Sequence, residues 1–254
     1  MTNILSAVTH RPYELPAGPW RMAQRWNDLL FAHWPIPIDE MARMLPPGLE
    51  VDTFDGYAWV GVVPFWMDQV RTRAVGKQCI TVPGTATFCE LNLRTYVRSR
   101  KTDLRGVYFF SLDAASALAV IGARMLFHLP YFFANMHRQI KSDGTVEYSS
   151  RRLLTGRRVR FEARYRGLGE VGGPSRAGTL EYFLTERYSL FTRHTGHLLV
   201  GHIHHLPWPL EAAEAEIVIN ELPAAHGITL PDRPPVLHFA RRLDVYIWSL
   251  RDDR

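Results

Sequence analysis

Glu90 and Arg94 lie in the stretch Thr85 to Arg98, where side chains alternate with period two, so both leave the same face of a strand. A carboxyl group so placed can move protons if burial lifts its pKa towards neutrality. The arginine two positions along that face can hold an anionic group of a substrate, or neutralise Glu90 in an ion pair. A second group lies in the run Ala123 to Phe132, where Arg124, His128 and Tyr131 flank Pro130. His128 and Tyr131 can act as acid, base or hydrogen-bond donor, and the Arg124 guanidinium can orient a polar group or anchor carbonyls. Glu90, Tyr131 and His128 are therefore the candidate catalytic residues, and Arg124 and Arg94 the candidate substrate-binding residues. Each also has a structural reading: an ion pair for Arg94, an amphipathic wall residue for Tyr131, a helix-end histidine for His128, and a buried anchor for Arg124.

Other constellations compete. His194, His197, His202, His204 and His205 crowd one segment, and His202 and His204 share one strand face at a spacing that binds zinc if a third ligand, such as His238, arrives. No His-Glu-x-x-His or Cys-x-x-Cys accompanies them, and aromatic strand residues near Trp208 account for the cluster, so neither metal nor cofactor is expected. A Ser-His-Asp hydrolase is unsupported without Gly-x-Ser-x-Gly. The glycines of Gly167 to Gly172 lack the βαβ surroundings of a phosphate cradle, and Gly167 to Gly178 reads as a mobile loop. Cys79 and Cys89 are expected to be unpaired, small buried thiols.

The elements that must position these groups are mostly strands. Across 254 residues, 46% hydrophobic and 12% aromatic, no compositional break or long linker divides the chain, so one domain, 1–254, is expected. The net charge of +5 is spread along strand faces, which argues against nucleic acid as a partner. Only Lys77, Lys101 and Lys141 are lysines among the 30 basic residues, an arginine bias suited to planar carboxylates. No apolar run approaches the roughly 20 residues of a membrane helix, and Met1 to Trp20 lacks a signal peptide's apolar core. A cytoplasmic protein with no membrane contact is the expectation.

Trp20 to Trp34 has no clean periodicity. Asp39 to Leu45 reads as a short helix capped by Asp39 and ended by Pro46-Pro47-Gly48. Leu49 to Thr53 and Tyr57 to Phe65 read as a hairpin around Asp55-Gly56. Gly106 to Leu112 reads as a strand, Ala114 to Phe127 as a helix broken by Pro130, and Val146 to Leu154 with Val159 to Arg166 as a strand pair. Leu180 to Phe191 and Thr195 to His205 supply further strand material. Leu210 to Leu222 fits helix or strand, and His238 to Leu250 a closing strand.

Two segments resemble acetoacetate decarboxylases: Ile38 to Asp52, similar to their entry helix and first strand, and the arginine-to-proline run of Arg124 to Pro130. In those enzymes two lysines follow the proline and the first forms a Schiff base with the keto acid; here Tyr131 and Phe132 hold those positions. From about Trp20 to Trp248 the chain resembles the YqjF-like family of uncharacterised bacterial proteins in the same superfamily, on the phrases Asp55 to Phe65, Glu90 to Val97, Gly106 to Asp113 and Thr185 to Tyr188. The resemblance implies a mainly β (α+β) fold, a closed cone-like barrel with a few flanking helices and a ligand cavity inside. Arg124 matches the motif arginine and Glu90 an acid of the cavity, whereas the second cavity acid falls near Gly61 and an early arginine near Asn27. Without a lysine to form an imine, the expectation is a cavity for a small oxygenated molecule, able to support non-covalent lyase, hydratase or isomerase chemistry. A non-catalytic ligand-binding or sensing protein, and a metal-dependent enzyme on His202 and His204, stand as alternatives. The superfamily's habit of pairing barrel edges implies a homo-oligomer.

Overall fold

A computed structural model describes residues 4–73, 79–156 and 158–253; Lys77 lies outside them. In chain order the elements are β1 Met22–Ile36, α1 Ile38–Ala42, β2 Leu49–Val51, β3 Ala58–Arg73, β4 Cys79–Ile80, β5 Phe88–Ser99, β6 Arg105–Ala114, α2 Ala117–Phe127, β7 Tyr131–Ile140, β8 Val146–Arg152 and β9 Arg160–Val171. Then follow α3 Leu180–Thr185, β10 Ser189–His194, β11 His197–His204, β12 Glu211–Asn220, α4 Leu222–Ala225, β13 Val236–Ile247 and β14 Arg251–Asp252.

The strands close on themselves twice. One ring runs β5-β3-β1-β13-β12-β9-β8-β7-β6 and returns to β5; a second runs β5-β3-β1-β13-β11-β10-β6 and shares five strands with the first. The shared strands are therefore covered on both faces. On one face Leu30, Ala32, Val60, Val62, Leu91 and Leu93 pack with Tyr148, Phe161 and Tyr165 of β8 and β9 into the main core. On the other, Leu29, Phe31, Val63 and Phe65 turn towards Trp208 and the second ring. A strand buried on both faces has no polar side to alternate with, which is why Trp20 to Trp34 shows no clean period although it forms β1.

Several sequence expectations are corrected. The Asp55-Gly56 turn forms, with positive φ at both residues and Phe54 and Tyr57 exchanging backbone hydrogen bonds. It does not join a hairpin, because β2 pairs with the end of β5 that runs past β3, Leu49 facing Ser99. Asp39 is not a cap: α1 begins at Ile38 after Pro37, with Asp39 and Glu40 exposed in its first turn. Leu180 to Phe191 is not all strand, since Thr179 accepts from the Tyr182 N–H and starts α3, which buries Phe183 and Leu184. Gly167 to Val171 is no loop, because it completes β9 against β12. Leu210 to Leu222 resolves mainly as β12, with Leu222 opening α4; Cys79 and Cys89 are free, but Cys79 is exposed and Cys89 only half-buried.

Two joints position the site. The β6-α2-β7 crossover makes β6 and β7 parallel, with Leu112 beside Tyr131 and, on its other side, Asn92. Ser116 caps α2 by accepting from the Ala119 N–H, and His128 ends it in the left-handed conformation at φ 48°. The second joint is the parallel β6–β10 pairing that closes the seven-strand ring. Gly106 makes it possible, because a Cβ there would stand 2.6 Å from the Ser189 carbonyl oxygen. Gly106→Ala should cost roughly 1–3 kcal/mol in urea unfolding; a neutral substitution would contradict this closure.

Candidate functional site

Between the shared sheet and α2, within the seven-strand ring, lies a cavity of about 380 Å³. Its polar floor comes from β5. Glu90, Asn92 and Arg94 all face it, as the period-two reading of Thr85 to Arg98 requires, while Leu91 and Leu93 point into the main core. Tyr131 reaches in from the first residue of β7, across Leu112, and its hydroxyl donates to Glu90 Oε2 at 2.9 Å.

Glu90 is only 3% exposed, and burial pushes its carboxyl up to about 8. Hydrogen bonds from Tyr131 and Asn92 oppose that rise and the nearby Asp113 carboxyl adds to it. Glu90 is therefore mainly the neutral acid at pH 7. Burial and the neighbouring Glu90 also raise the Tyr131 phenol well above its ordinary range, so Tyr131 serves as a hydrogen-bond donor and not as a base.

Arg94 does not pair with Glu90. Its guanidinium donates to the Tyr96 hydroxyl and to the Leu184 carbonyl, each at 3.2 Å, and lies over the Phe31 ring. Among the described residues no carboxylate stands within ion-pair distance of it. Tyr96 passes its own proton to Leu184 O at 2.7 Å, so His33 Nε2, 2.6 Å from the same hydroxyl, is the donor there. Burial first, then Arg94 and His238, hold His33 well below the usual imidazole range, and it stays neutral. The His33 ring also explains an expected absence. A Cβ on Gly61 would stand 2.8 Å from His33 Nε2, so a second cavity acid has no room at that position.

The structure does not bring Arg124 or His128 to the cavity. Arg124 is exposed, and its Nε donates to the Tyr131 carbonyl at 2.7 Å, so it holds the backbone that carries Tyr131. The left-handed turn at His128 points its ring outward, where it stacks on His194 at 3.6 Å, while its carbonyl accepts from Thr192. Asn27 bonds Asp68 beside the Arg25 carbonyl.

The histidine cluster is taken up by hydrogen bonds. His202 meets Ser189, His204 lies between Arg11 and the Ile4 carbonyl, and His205 lies between the Leu206 and Arg187 carbonyls. Burial holds all three down to about 4. Among the described residues no three His, Cys, Asp or Glu side chains group to hold a metal ion.

Sequence reasoning missed three residues of the cavity. Asn92 sits on the Glu90 face and was readable from its register. Arg187 lines the cavity through a buried ion pair with Asp52 at 2.6 Å, 135 residues away, which no local pattern reveals. Trp208, between two prolines, closes the far wall against Phe31.

Comparison with known proteins agrees with this architecture. The profile of the DUF2071 family, described as an uncharacterized conserved protein, matches residues 23–244. An uncharacterized protein, YqjF of Bacillus subtilis (strain 168), is 45% identical over 239 residues, which cover 93% of this chain and 94% of that protein. Among solved structures, the enduracididine biosynthesis enzyme MppR, complexed with the condensation product of pyruvate and imidazole 4-carboxaldehyde, superimposes with a TM-score of 0.59 at 14% identity, covering 92% of this chain and 90% of that one. Acetoacetate decarboxylase from Legionella pneumophila gives 0.56 at 12% identity, covering 100% and 97%. At such identities the likeness is one of fold: a mainly β, acetoacetate-decarboxylase-like barrel. No helix of the described residues is long and apolar enough to cross a membrane. The matched family spans nearly the whole double-ring architecture, and the chain belongs to the DUF2071 family.

Proposed function

We propose that the cavity binds a small oxygenated organic molecule and acts on it by non-covalent acid–base chemistry of the lyase, hydratase or isomerase type. The observation that carries this reading is the buried Glu90–Tyr131 hydrogen bond, at 2.9 Å, on the wall of the cavity. Neutral Glu90 can give its proton to a carbonyl or departing hydroxyl oxygen, and the carboxylate left behind, still held by Tyr131, can take a proton from the adjacent carbon. The proton returns to Glu90 and no covalent bond to the protein forms. Arg94 would hold an anionic or carbonyl oxygen of the substrate. His128 and Arg124 take no direct part, since one ring faces outward and the other side chain braces the Tyr131 backbone.

A Schiff base is disfavoured by the residues that remain. Lys101 and Lys141 are both exposed at strand ends beyond the cavity, and Tyr131 supplies no amine. Borohydride reduction in the presence of pyruvate or acetoacetate should leave the intact mass unchanged; a reduced-imine adduct, one substrate less its carbonyl oxygen (or less carbon dioxide as well, if acetoacetate is decarboxylated), would contradict the lysine-free mechanism.

The chemistry itself is tested by incubating a panel of oxo and hydroxy carboxylates with the protein in D2O and following C–H exchange by proton NMR. Exchange that falls by on the order of 10²-fold or more in Glu90→Gln is expected; exchange untouched by that change would sink the assignment.

Stability offers an independent check. Unfolded Glu90 titrates near its ordinary value of about 4.3, whereas the folded residue titrates near 8. Between those values the folded state keeps a proton that the unfolded chain has lost, so stability falls as pH rises through this window and levels above it. Glu90→Gln removes that loss and should be more stable than the natural chain at pH 8 by a few kcal/mol, on the order of 1.4 kcal/mol for each pH step of one across the window, with the advantage shrinking towards pH 4. A Glu90→Gln protein less stable at pH 8 would contradict the buried-acid reading.

A further inference from the structure

The geometry points to a particular ligand class: a monocarboxylate with an apolar chain, its carboxylate on Arg94 and its chain running beneath α2. This rests on reading the cavity as a binding site, and does not require Glu90 to be catalytic.

Three residues that line the cavity each carry a buried side-chain atom with no hydrogen-bond partner among the described residues: Arg94 Nε, Trp208 Nε1 and Asn92 Oδ1. Their residues are only 8%, 3% and 6% exposed. The two donors flank one ring, since Arg94 lies 5.3 Å from the centre of Phe31 and the Trp208 ring meets Phe31 edge-on at 4.8 Å. A guanidinium with an unused N–H calls for an acceptor that carries negative charge.

The charges of the cavity narrow the choice. Arg187, the other arginine on the cavity, is already neutralised by Asp52. Arg94 has no acidic partner among the described residues, so the cavity holds one uncompensated positive charge, which a ligand bearing a single carboxylate would neutralise.

The remaining surface selects for an apolar body. Leu118, Ile121 and Leu126 of α2 border the cavity and are themselves more than half exposed, so the way in passes between apolar side chains. Arg124, the only charged residue of α2, is turned away to the Tyr131 carbonyl. Size adds a limit. At roughly 30 Å³ per non-hydrogen atom, the volume a water molecule takes in the liquid, a cavity of about 380 Å³ holds about a dozen such atoms. A small keto acid fills about half of that; a carboxylate on a chain of about eight to ten carbons fills it.

The test is calorimetric titration of the full chain with straight-chain alkanoates from butanoate to tetradecanoate, alongside the corresponding 1-alkanols. Affinity should rise about fourfold per methylene, the equivalent of about 0.8 kcal/mol for burying each one, and level off near a total of eight to ten carbons. Each alkanol should bind at least tenfold more weakly than its acid. Arg94→Gln should erase the acid's advantage and keep alkanol binding, which also reports that the variant is folded. Gly122 borders the cavity with open space where a Cβ would stand, so Gly122→Leu should move the plateau to shorter chains. Affinities flat with chain length, alkanols binding as tightly as acids, or a plateau unmoved by Gly122→Leu would overturn the inference. Failure of this series with Glu90-dependent exchange retained removes the ligand class alone; the converse removes the chemistry and leaves the ligand class standing.

Discussion

A sheet that closes twice buries both faces of its shared strands along most of their length. Strands β13, β1, β3, β5 and β6 belong to both rings, so a polar side chain on β5 must enter one enclosed space or the other. Burial of this kind, more than any single contact, determines the behaviour of Glu90: it keeps the carboxyl protonated near neutrality and leaves Tyr131 as its hydrogen-bond partner in the cavity. The same enclosure strips water from Arg94 and from the indole of Trp208. Each of these groups costs folding free energy where it stands, and a site that gives up stability to unpaired polar groups is a common mark of ligand binding.

Buried charges in the two rings are handled in more than one way. In the nine-strand ring Arg152 Nε meets Asp113 at 2.7 Å and the neighbouring Nη2 donates to Ser111, so these charges are paired. In the seven-strand ring Glu90 and Arg94 share a strand face and remain unpaired with each other, because Arg94 is drawn to Tyr96 and Leu184. Gly61 and His33 maintain that separation. The imidazole fills the space that a second acid would need and supports the Tyr96 hydroxyl that holds Arg94. The acid and the cation of the site are thus kept apart.

Much of this was legible in the residues. The alternation of Thr85 to Arg98 placed Glu90, Asn92 and Arg94 on one face, and the break at Pro130 put Tyr131 in a position suited to a site wall; that it opens a strand came only with the fold. Local pattern failed where long-range closure decides. Arg187 depends on Asp52, β2 takes the overhanging end of β5 in place of its neighbour β3, and Gly167 to Val171 becomes strand only because β12 is there to receive it. His128 and Arg124 were plausible from spacing, but the left-handed turn at the end of α2 reverses the chain and leaves both outside. Their part is to set the angle at which Tyr131 enters, which spacing alone does not distinguish from direct contact.

The central claim is that Glu90 is a protonated acid at neutral pH, held by Tyr131 in a closed cavity. The most direct measurement is the infrared difference spectrum between the natural chain and Glu90→Gln, recorded across pH. A protonated carboxyl band present at pH 7 and lost around pH 8 is the expected result, with the band shifted in Tyr131→Phe. A carboxylate already ionised below pH 6 would contradict the account.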